Sequence, residues 1–188
     1  MSWTRWIGTV AGGVLLAGCA STSPHVLSRT VEVSPGINVV RTQQGNVVDS
    51  ITMRRDATRV NDLAVRSCLM DNIVPASSEP ATDIVQPEAS VWQRPGDINV
   101  AGRTLHYRLS LQHLKDQNYY LFDQLGESHR DAQGQVIWVP VPAWEKQQPK
   151  ALHEALVEKT NAIQECLVKA EDQQRTSTAV RDARTRSS

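Results

Sequence analysis

The sequence lacks an excess of charge of either sign, because 20 Lys and Arg residues balance 20 Asp and Glu residues in a chain of 188. A balanced chain has no net field to attract a polyanion, so composition gives no indication of nucleic acid as a partner. Large aromatic residues are also scarce, with a single Phe. The roughly 170 residues that follow the N-terminal segment are enough for one domain, and the scarcity of Phe predicts a modest core.

The short motifs of catalysis and metal binding are missing as well. The chain contains no His-Glu-x-x-His zinc motif, no Gly-x-Ser-x-Gly elbow, no Gly-rich phosphate loop and no Cys-x-x-Cys pair. Four histidines fall on different predicted elements without the spacing of metal ligands: His106, His113, His129 and His153. We therefore expect no metal and no cofactor, and a role in binding rather than in catalysis.

Long apolar runs are absent, and the clearest apolar stretch is short and N-terminal. Trp6 to Leu16 is apolar apart from Thr9, and it follows Arg5. A membrane-spanning helix needs about 20 apolar residues, so this stretch is too short to span a bilayer comfortably. A basic residue, a short apolar run and small residues after it are the layout of a secretory signal.

The stretch ends with Leu16-Ala17-Gly18-Cys19, which resembles the lipobox of bacterial lipoprotein precursors. The resemblance implies removal of residues 1–18, a diacylglycerol on the Cys19 sulfur and acylation of the new N-terminus. Two or more acyl chains hold a protein stably on a membrane where one chain does not. In that family the residue after the acylated cysteine influences sorting between the two membranes. An aspartate there would imply retention at the inner membrane. Ala20 implies the outer membrane, with the protein facing the periplasm.

The remainder of the chain divides by composition into three parts. Residues 19–29 are small and polar, which predicts a lipidated tether. The folded domain is predicted over residues 30–171. From Asp172 to Ser188 apolar residues nearly vanish, which predicts a disordered polar tail.

The first half of the predicted domain changes periodicity once. Thr30 to Met53 contains β-prone runs separated by Pro35-Gly36 and by Gln44-Gly45-Asn46, a pattern typical of two or three short strands. Apolar residues then recur at helical spacing from Asp56, which suits an N-cap, to Asn72. We therefore predict a short meander followed by an amphipathic helix.

Pro75 to Gly96 shows no period and contains four prolines, which predicts a long irregular loop. Loops of this length in compact domains are often functional. Trp92 lies inside it and has two interpretations. An exposed Trp would be a candidate partner contact, whereas a Trp packed back onto the domain is the commoner arrangement.

The clearest strand pattern follows this segment. Leu105 to Leu111 alternates apolar and polar residues, which predicts a strand with one buried and one solvated face. Ala101-Gly102 is placed to close a hairpin between this strand and Ile98 to Val100. Two further strands are predicted at Asn118 to Leu125 and at Gln135 to Val141.

Three cysteines are present, and two remain once Cys19 carries lipid. Cys68 lies on the first predicted helix, and Cys166 lies on the apolar side of a second helix that begins near Pro149. An oxidising compartment favours pairing of two such cysteines, although two unbonded buried thiols are the alternative. We predict a Cys68–Cys166 disulfide and an α+β fold, in which a small antiparallel sheet packs with the two helices that this bond joins.

These features predict a lipid-anchored outer-membrane lipoprotein with a periplasmic binding domain. Its expected role is that of an accessory component of an envelope assembly or maintenance system, with an envelope protein as partner. The alternative is a periplasmic enzyme, either a hydrolase or a thiol-dependent protein, with its site near the 75–96 loop. A free Cys68 thiol beside a histidine would favour the enzyme, and an exposed apolar patch would favour binding.

Overall fold

The computed structural model describes residues 27–76, 84–88, 90–130, 132–144 and 148–186. The predicted signal peptide and lipobox, and most of the tether, lie outside the described residues, and so do residues 77–83 and 89 of the predicted loop. The described residues form three helices and seven strands, in the order α1 Arg29–Val33, β1 Ile37–Thr42, β2 Gly45–Asp56, α2 Asp62–Asn72, β3 Val85–Glu88, β4 Val91–Val100, β5 Arg103–His113, β6 Gln117–Arg130, β7 Val136–Pro140 and α3 Gln148–Arg186.

All seven strands belong to one antiparallel sheet. The spatial order is β1-β2-β6-β5-β4-β3, and β7 pairs with β6. Gly126 of β6 pairs with both His106 and Pro140, so β7 lies on the edge of β6 opposite β5. Along this edge, β2 pairs with the first half of β6 and β7 pairs with the second half. Strand β6 therefore connects β2 and β7 to β5 and the rest of the sheet.

Two predicted hairpins are present. β1 and β2 meet at Thr42↔Gly45, and β4 and β5 meet at Val100↔Arg103. In the second turn Ala101 and Gly102 both have positive φ, 50° and 80°. That backbone twist matches the twist of the flanking strands, which is why such two-residue turns close hairpins.

The core lies between one face of the sheet and helices α2 and α3. Alternate residues of β5 are fully buried on this face, as the sequence predicts. Helix α3 contributes four completely buried apolar side chains spaced at helical intervals, Leu152, Leu156, Ile163 and Leu167. We call this the inner face of the sheet and the opposite one the outer face.

Cys68 of α2 and Cys166 of α3 form a disulfide, with Cα atoms 5.7 Å apart. The predicted α+β fold is thus confirmed, with an antiparallel sheet and two helices joined by this bond. The bond holds the helices side by side on the inner face.

A polar network also ties α3 to the sheet. Gln164 donates through Nε2 to the Asp56 carbonyl at 2.9 Å. Its Oε1 then accepts from Asn118 Nδ2 at 2.9 Å and from the Tyr120 hydroxyl at 2.8 Å. Burial is the main reason that the pKa of Tyr120 is raised above its usual range, so this hydroxyl remains a donor.

Two boundaries in the first half differ from the prediction. Thr30 to Val33 was expected to be extended, but α1 forms there because the Ser28 hydroxyl accepts from Val31 N at 3.4 Å and caps it. Helix α2 begins six residues later than predicted, since β2 stays paired with β6 through Asp56↔Gln117. Asn61 is the N-cap instead, with its side chain accepting from Ala64 N at 2.9 Å.

The prediction of an irregular loop over 75–96 was wrong for its second half, which contains β3 and the start of β4. Its prolines hid the strands, because a proline cannot donate to a central ladder. Pro95 is tolerated in β4 because β3 pairs with β4 only up to Gln93, beyond which that edge of β4 faces other groups. One of these is the Val74 carbonyl, which accepts from Asp97 N at 3.0 Å.

The predicted disordered tail also differs, because α3 continues as a helix to Arg186. Extending an existing helix costs far less than nucleating one, so a polar sequence can prolong it without a core. The hydroxyls of Thr176, Ser177 and Thr178 each donate to a carbonyl four residues earlier at 2.9 Å.

No helix within the described residues is long and apolar enough to cross a membrane.

Candidate functional site

The most unusual surface lies on the outer face, at the end of the sheet where β4, β5, β6 and β7 meet. The polar positions of β5 were predicted to be solvated, but His106 and Ser110 are each 8% exposed. Cross-strand neighbours bury them: His106 lies opposite Asp97 of β4 and opposite Gly126 of β6. The expectation of a wet outer face is therefore wrong at this end of the sheet.

Asp97, His106 and Ser128 form a hydrogen-bonded chain across three strands. Asp97 Oδ1 contacts His106 Nδ1, and His106 Nε2 lies 2.9 Å from Ser128 Oγ. Asp97 is 6% exposed. A carboxylate oxygen only accepts, so we assign the ring proton to Nδ1, which leaves the Nε2 lone pair facing the Ser128 hydroxyl.

Trp138 of β7 covers His106, the central member of this chain. Its ring stacks on His106 with centroids 5.7 Å apart and an interplanar angle of 29°. To reach His106 the indole crosses Gly126, where an added Cβ would lie 2.5 Å from Trp138 Cε2. The missing side chain at Gly126 thus makes room for the stack.

The same tryptophan belongs to an exposed apolar strand. Ile137, Trp138 and Val139 are 47%, 48% and 39% exposed, and we call these three residues the β7 edge. Within the described residues β7 pairs with β6 alone. Apolar side chains therefore lie beside a strand edge with which no other strand of the described part of the chain pairs.

A second polar cluster lies on the inner face at the same end of the sheet. Glu127 is buried, and its two carboxylate oxygens contact Arg103 Nη1 at 3.3 Å and His129 Nε2 at 2.9 Å.

Further along β5 and β6 on the outer face, Arg108 makes a two-pronged contact with Asp123, at 2.9 Å for each bond. This contact raises the pKa of Arg108 and fixes the register next to the site.

Trp92, the predicted candidate partner contact, is 2% exposed and packs in the core. Its ring meets His113 edge-on, with centroids 4.9 Å apart. The partner-contact interpretation is therefore corrected in favour of the packed one. The strand pairing Trp92↔Leu111 turns this side chain to the inner face.

The other predicted site residues are separate from this surface. Cys68 and Cys166 are bonded to each other, so Cys68 carries no free thiol in this structure, and the enzyme alternative stays a prediction. Cys19 lies outside the described residues. No group of three or more metal-ligating side chains occurs among the residues that the structure describes.

Sequence reasoning missed the residues that make this surface. Asp97, Ser128 and Trp138 are far apart in the chain, and their meeting depends on the pairing of four strands. A weak signal was present, because Gly126 directly follows the predicted strand Asn118 to Leu125, and the apolar Val136 to Val139 run lies within the next predicted strand. Comparison with protein-family models, with curated proteins and with solved structures finds no match for this chain.

Proposed function

We propose that this protein is a lipid-anchored outer-membrane lipoprotein whose domain binds an envelope protein in the periplasm, as an accessory component of an envelope assembly or maintenance system. The single observation that carries the binding role is the exposed apolar β7 edge. The anchor is supported by the resemblance of Leu16-Ala17-Gly18-Cys19 to a lipobox, and the destination by Ala20.

The composition of β7 favours a protein segment as its partner. Edge strands are usually protected from pairing by charged residues, but Val136–Pro140 contains none. A strand edge offers backbone donors and acceptors, and the Ile137, Trp138 and Val139 side chains add apolar contacts on both sides. The fitting partner is an extended segment with uncharged, apolar side chains, which adds to the sheet as a further strand.

The buried chain behind Trp138 supports this role. Bonds at both ring nitrogens hold His106 in one orientation, and the imidazole supports the indole from below. A rigid aromatic side chain contributes contact area at a low cost in conformational entropy. The surface is therefore prepared before the partner arrives.

Site-specific photocrosslinking in intact cells tests the proposal. A photoreactive residue at Ile137 should give a discrete protein adduct, and peptide mapping should place the crosslink in an uncharged, apolar segment of the partner. Glu158, exposed on α3, is the matched control position and should give no such adduct. A Val139→Lys change should reduce the Ile137 adduct several-fold, because it adds the charge that edge strands use against pairing. Equal adducts from both positions, or an adduct insensitive to Val139→Lys, would contradict the proposal.

A further inference from the structure

The Asp97–His106–Ser128 hydrogen-bonded chain joins a carboxylate, an imidazole and a hydroxyl in that order, and partner binding does not require this order. Each nitrogen of a single imidazole contacts a different side chain, a carboxylate at Nδ1 and a hydroxyl at Nε2. With the proton on Nδ1, Nε2 is free to accept the Ser128 proton. This is the arrangement in which a histidine acts as general base toward a serine.

The surroundings of Ser128 leave it open to a small reactant. Ser128 is neither fully buried nor fully exposed, whereas Asp97 and His106 behind it are almost completely covered. Trp138 lies directly opposite Ser128 in the β6–β7 pairing, and its apolar ring stacks on the same His106 that the hydroxyl contacts. The nucleophile is thus at the surface, its base is beneath, and an apolar ring stacks on that base.

From this geometry we infer that Ser128 is a nucleophile that hydrolyses carboxylic esters with an apolar acyl group. His106 is its general base, and Asp97 is a positioning residue that keeps the ring proton on Nδ1. Base activation is the catalytic feature that the described contacts give Ser128. Activated esters, whose leaving groups need little assistance, are therefore the substrates expected to react first.

The reaction balances without any further reagent than water. Ser128 Oγ forms a bond to the ester carbonyl carbon while its proton moves to His106 Nε2. The carbon–alkoxide bond then breaks, and the alkoxide takes that proton and leaves as an alcohol. A water molecule attacks the acyl-Ser128 ester, passing one proton to Nε2, and the carboxylic acid departs as Ser128 regains its proton. This inference is independent of the partner-binding proposal, and either can fail without the other.

The test is covalent labelling of the full chain, purified in detergent, with a fluorophosphonate probe. We expect one adduct on Ser128 by peptide mass spectrometry and slow turnover of p-nitrophenyl butyrate. Ser128→Ala should remove both signals, and His106→Gln should lower the labelling rate at least tenfold. Ser110→Ala is the matched control, because Ser110 is a buried serine on the same outer face, bonded to Gln93 rather than to a histidine, and labelling should continue in it.

Asp97 needs a readout that a purely structural role would not change. Asp97→Asn should slow labelling and alter its pH–rate profile, and Asp97→Glu should restore part of the rate. The labelling rate of a variant is compared with that of wild type only if the two far-UV circular dichroism spectra match and the Cys68–Cys166 bond is intact. Wild-type protein that is folded yet gives no Ser128 adduct overturns the inference, and so does an equal labelling rate in a folded His106→Gln variant.

Discussion

The absence of a side chain at Gly126 determines where the Trp138 ring lies on the outer face. Trp138 crosses Gly126 to reach His106, and the closest indole atoms would lie 2.5–2.7 Å from an added Cβ. Such contacts are too short for any real Cβ, so one partner must move. Trp138 is the group free to move, because it is 48% exposed and belongs to an edge strand.

Gly126→Ala should therefore displace the Trp138 ring from His106 and destabilise the domain by about 1–3 kcal/mol. Urea unfolding gives the stability change, and iodide quenching of tryptophan fluorescence, compared with a Trp138→Phe variant, gives the exposure of the ring. Gly102→Ala is the control, since Gly102 has open space around it and a positive φ of 80°. It should cost stability through the backbone alone and leave the quenching unchanged, and equal quenching in Gly126→Ala and wild type would refute the prediction.

Buried polar contacts also set the protonation of His113. Asn118 turns its carboxamide oxygen toward His113 Nδ1, because its Nδ2 donates to Thr58 Oγ1 at 3.0 Å and to Gln164. The other ring nitrogen of His113, Nε2, is buried without a hydrogen-bond partner among the described residues. Burial is the main cause of the lowered pKa of His113, and the Asn118 contact opposes it only in part.

The lowered pKa makes stability depend on pH. As the pH falls below the ordinary histidine pKa of about 6.5, the unfolded chain takes up a proton before the folded protein does, so the free energy of unfolding decreases. One such proton accounts for a slope of at most about 1.4 kcal/mol per pH unit. Urea unfolding between pH 7.5 and pH 5 should show this fall, and His113→Gln should flatten it. His153, whose pKa is lowered for the same reason, should leave a smaller remaining slope, and a wild-type stability that rises toward pH 5 would be incompatible with this account.

At the scale of residues, features set by neighbouring positions in the sequence could be predicted, whereas contacts between residues far apart in the sequence could not. The alternation of Leu105 to Leu111 predicted its inner-face residues, because strand geometry alone turns alternate side chains to one side. It did not predict that His106 meets Ser128, because that contact requires a bulge between β5 and β6, where Gln124 has a φ of 53°. A bulge shifts the register in a way that composition does not signal.

At the scale of elements, a disulfide cross-links helices α2 and α3. Cys68 is 1% exposed, and Cys166 lies partly buried beside it, so the bond sits at the interface of α2 and α3. A separation of 98 residues means that the reduced chain has a large loop to close on folding. The entropy removed from the unfolded state is correspondingly large, although part of the measured effect of disulfides is enthalpic.

Replacing both cysteines by alanine should lower the free energy of unfolding by about 2–5 kcal/mol, with the fold retained. Denaturant unfolding with and without dithiothreitol provides an internal control, because the reductant should destabilise wild-type protein and leave the Cys68→Ala/Cys166→Ala variant unaffected. The bond would have no stabilising role if wild-type protein unfolded at the same urea concentration under both conditions.

Elements with a strong local pattern were predictable, and elements that depend on their neighbours were not. The turn between β4 and β5 and the first part of α3 each follow from their own residues, and the disulfide followed from counting cysteines and placing two of them on apolar helix faces. By contrast, α1 depends on one hydroxyl cap at Ser28, and β3 exists because β4 offers it an edge. Neither the cap nor the edge is a periodic feature of the sequence.

At the scale of the whole molecule, the proposed attachment to the membrane would depend on Cys19. We expect Cys19→Ser to abolish incorporation of labelled palmitate and to release the protein from outer membranes, because the change removes the sulfur that would carry the lipid. Membrane fractionation after a high-salt wash measures the release. Ser21→Ala, two residues further on, should behave as wild type. Wild-type protein without label, or a Cys19→Ser variant that still sediments with membranes, would contradict the anchor.

The Cys68–Cys166 bond has a further consequence for the integrity of the chain. Strands β3 to β7 all lie between the two cysteines, so five of the seven strands belong to a covalent ring. Hydrolysis of any one peptide bond in that ring opens it without separating the fragments, which stay joined through sulfur at a high effective concentration. A molecule nicked within that ring therefore keeps its apparent mass on a non-reducing gel and separates into two fragments only when a reductant reaches the disulfide between the helices.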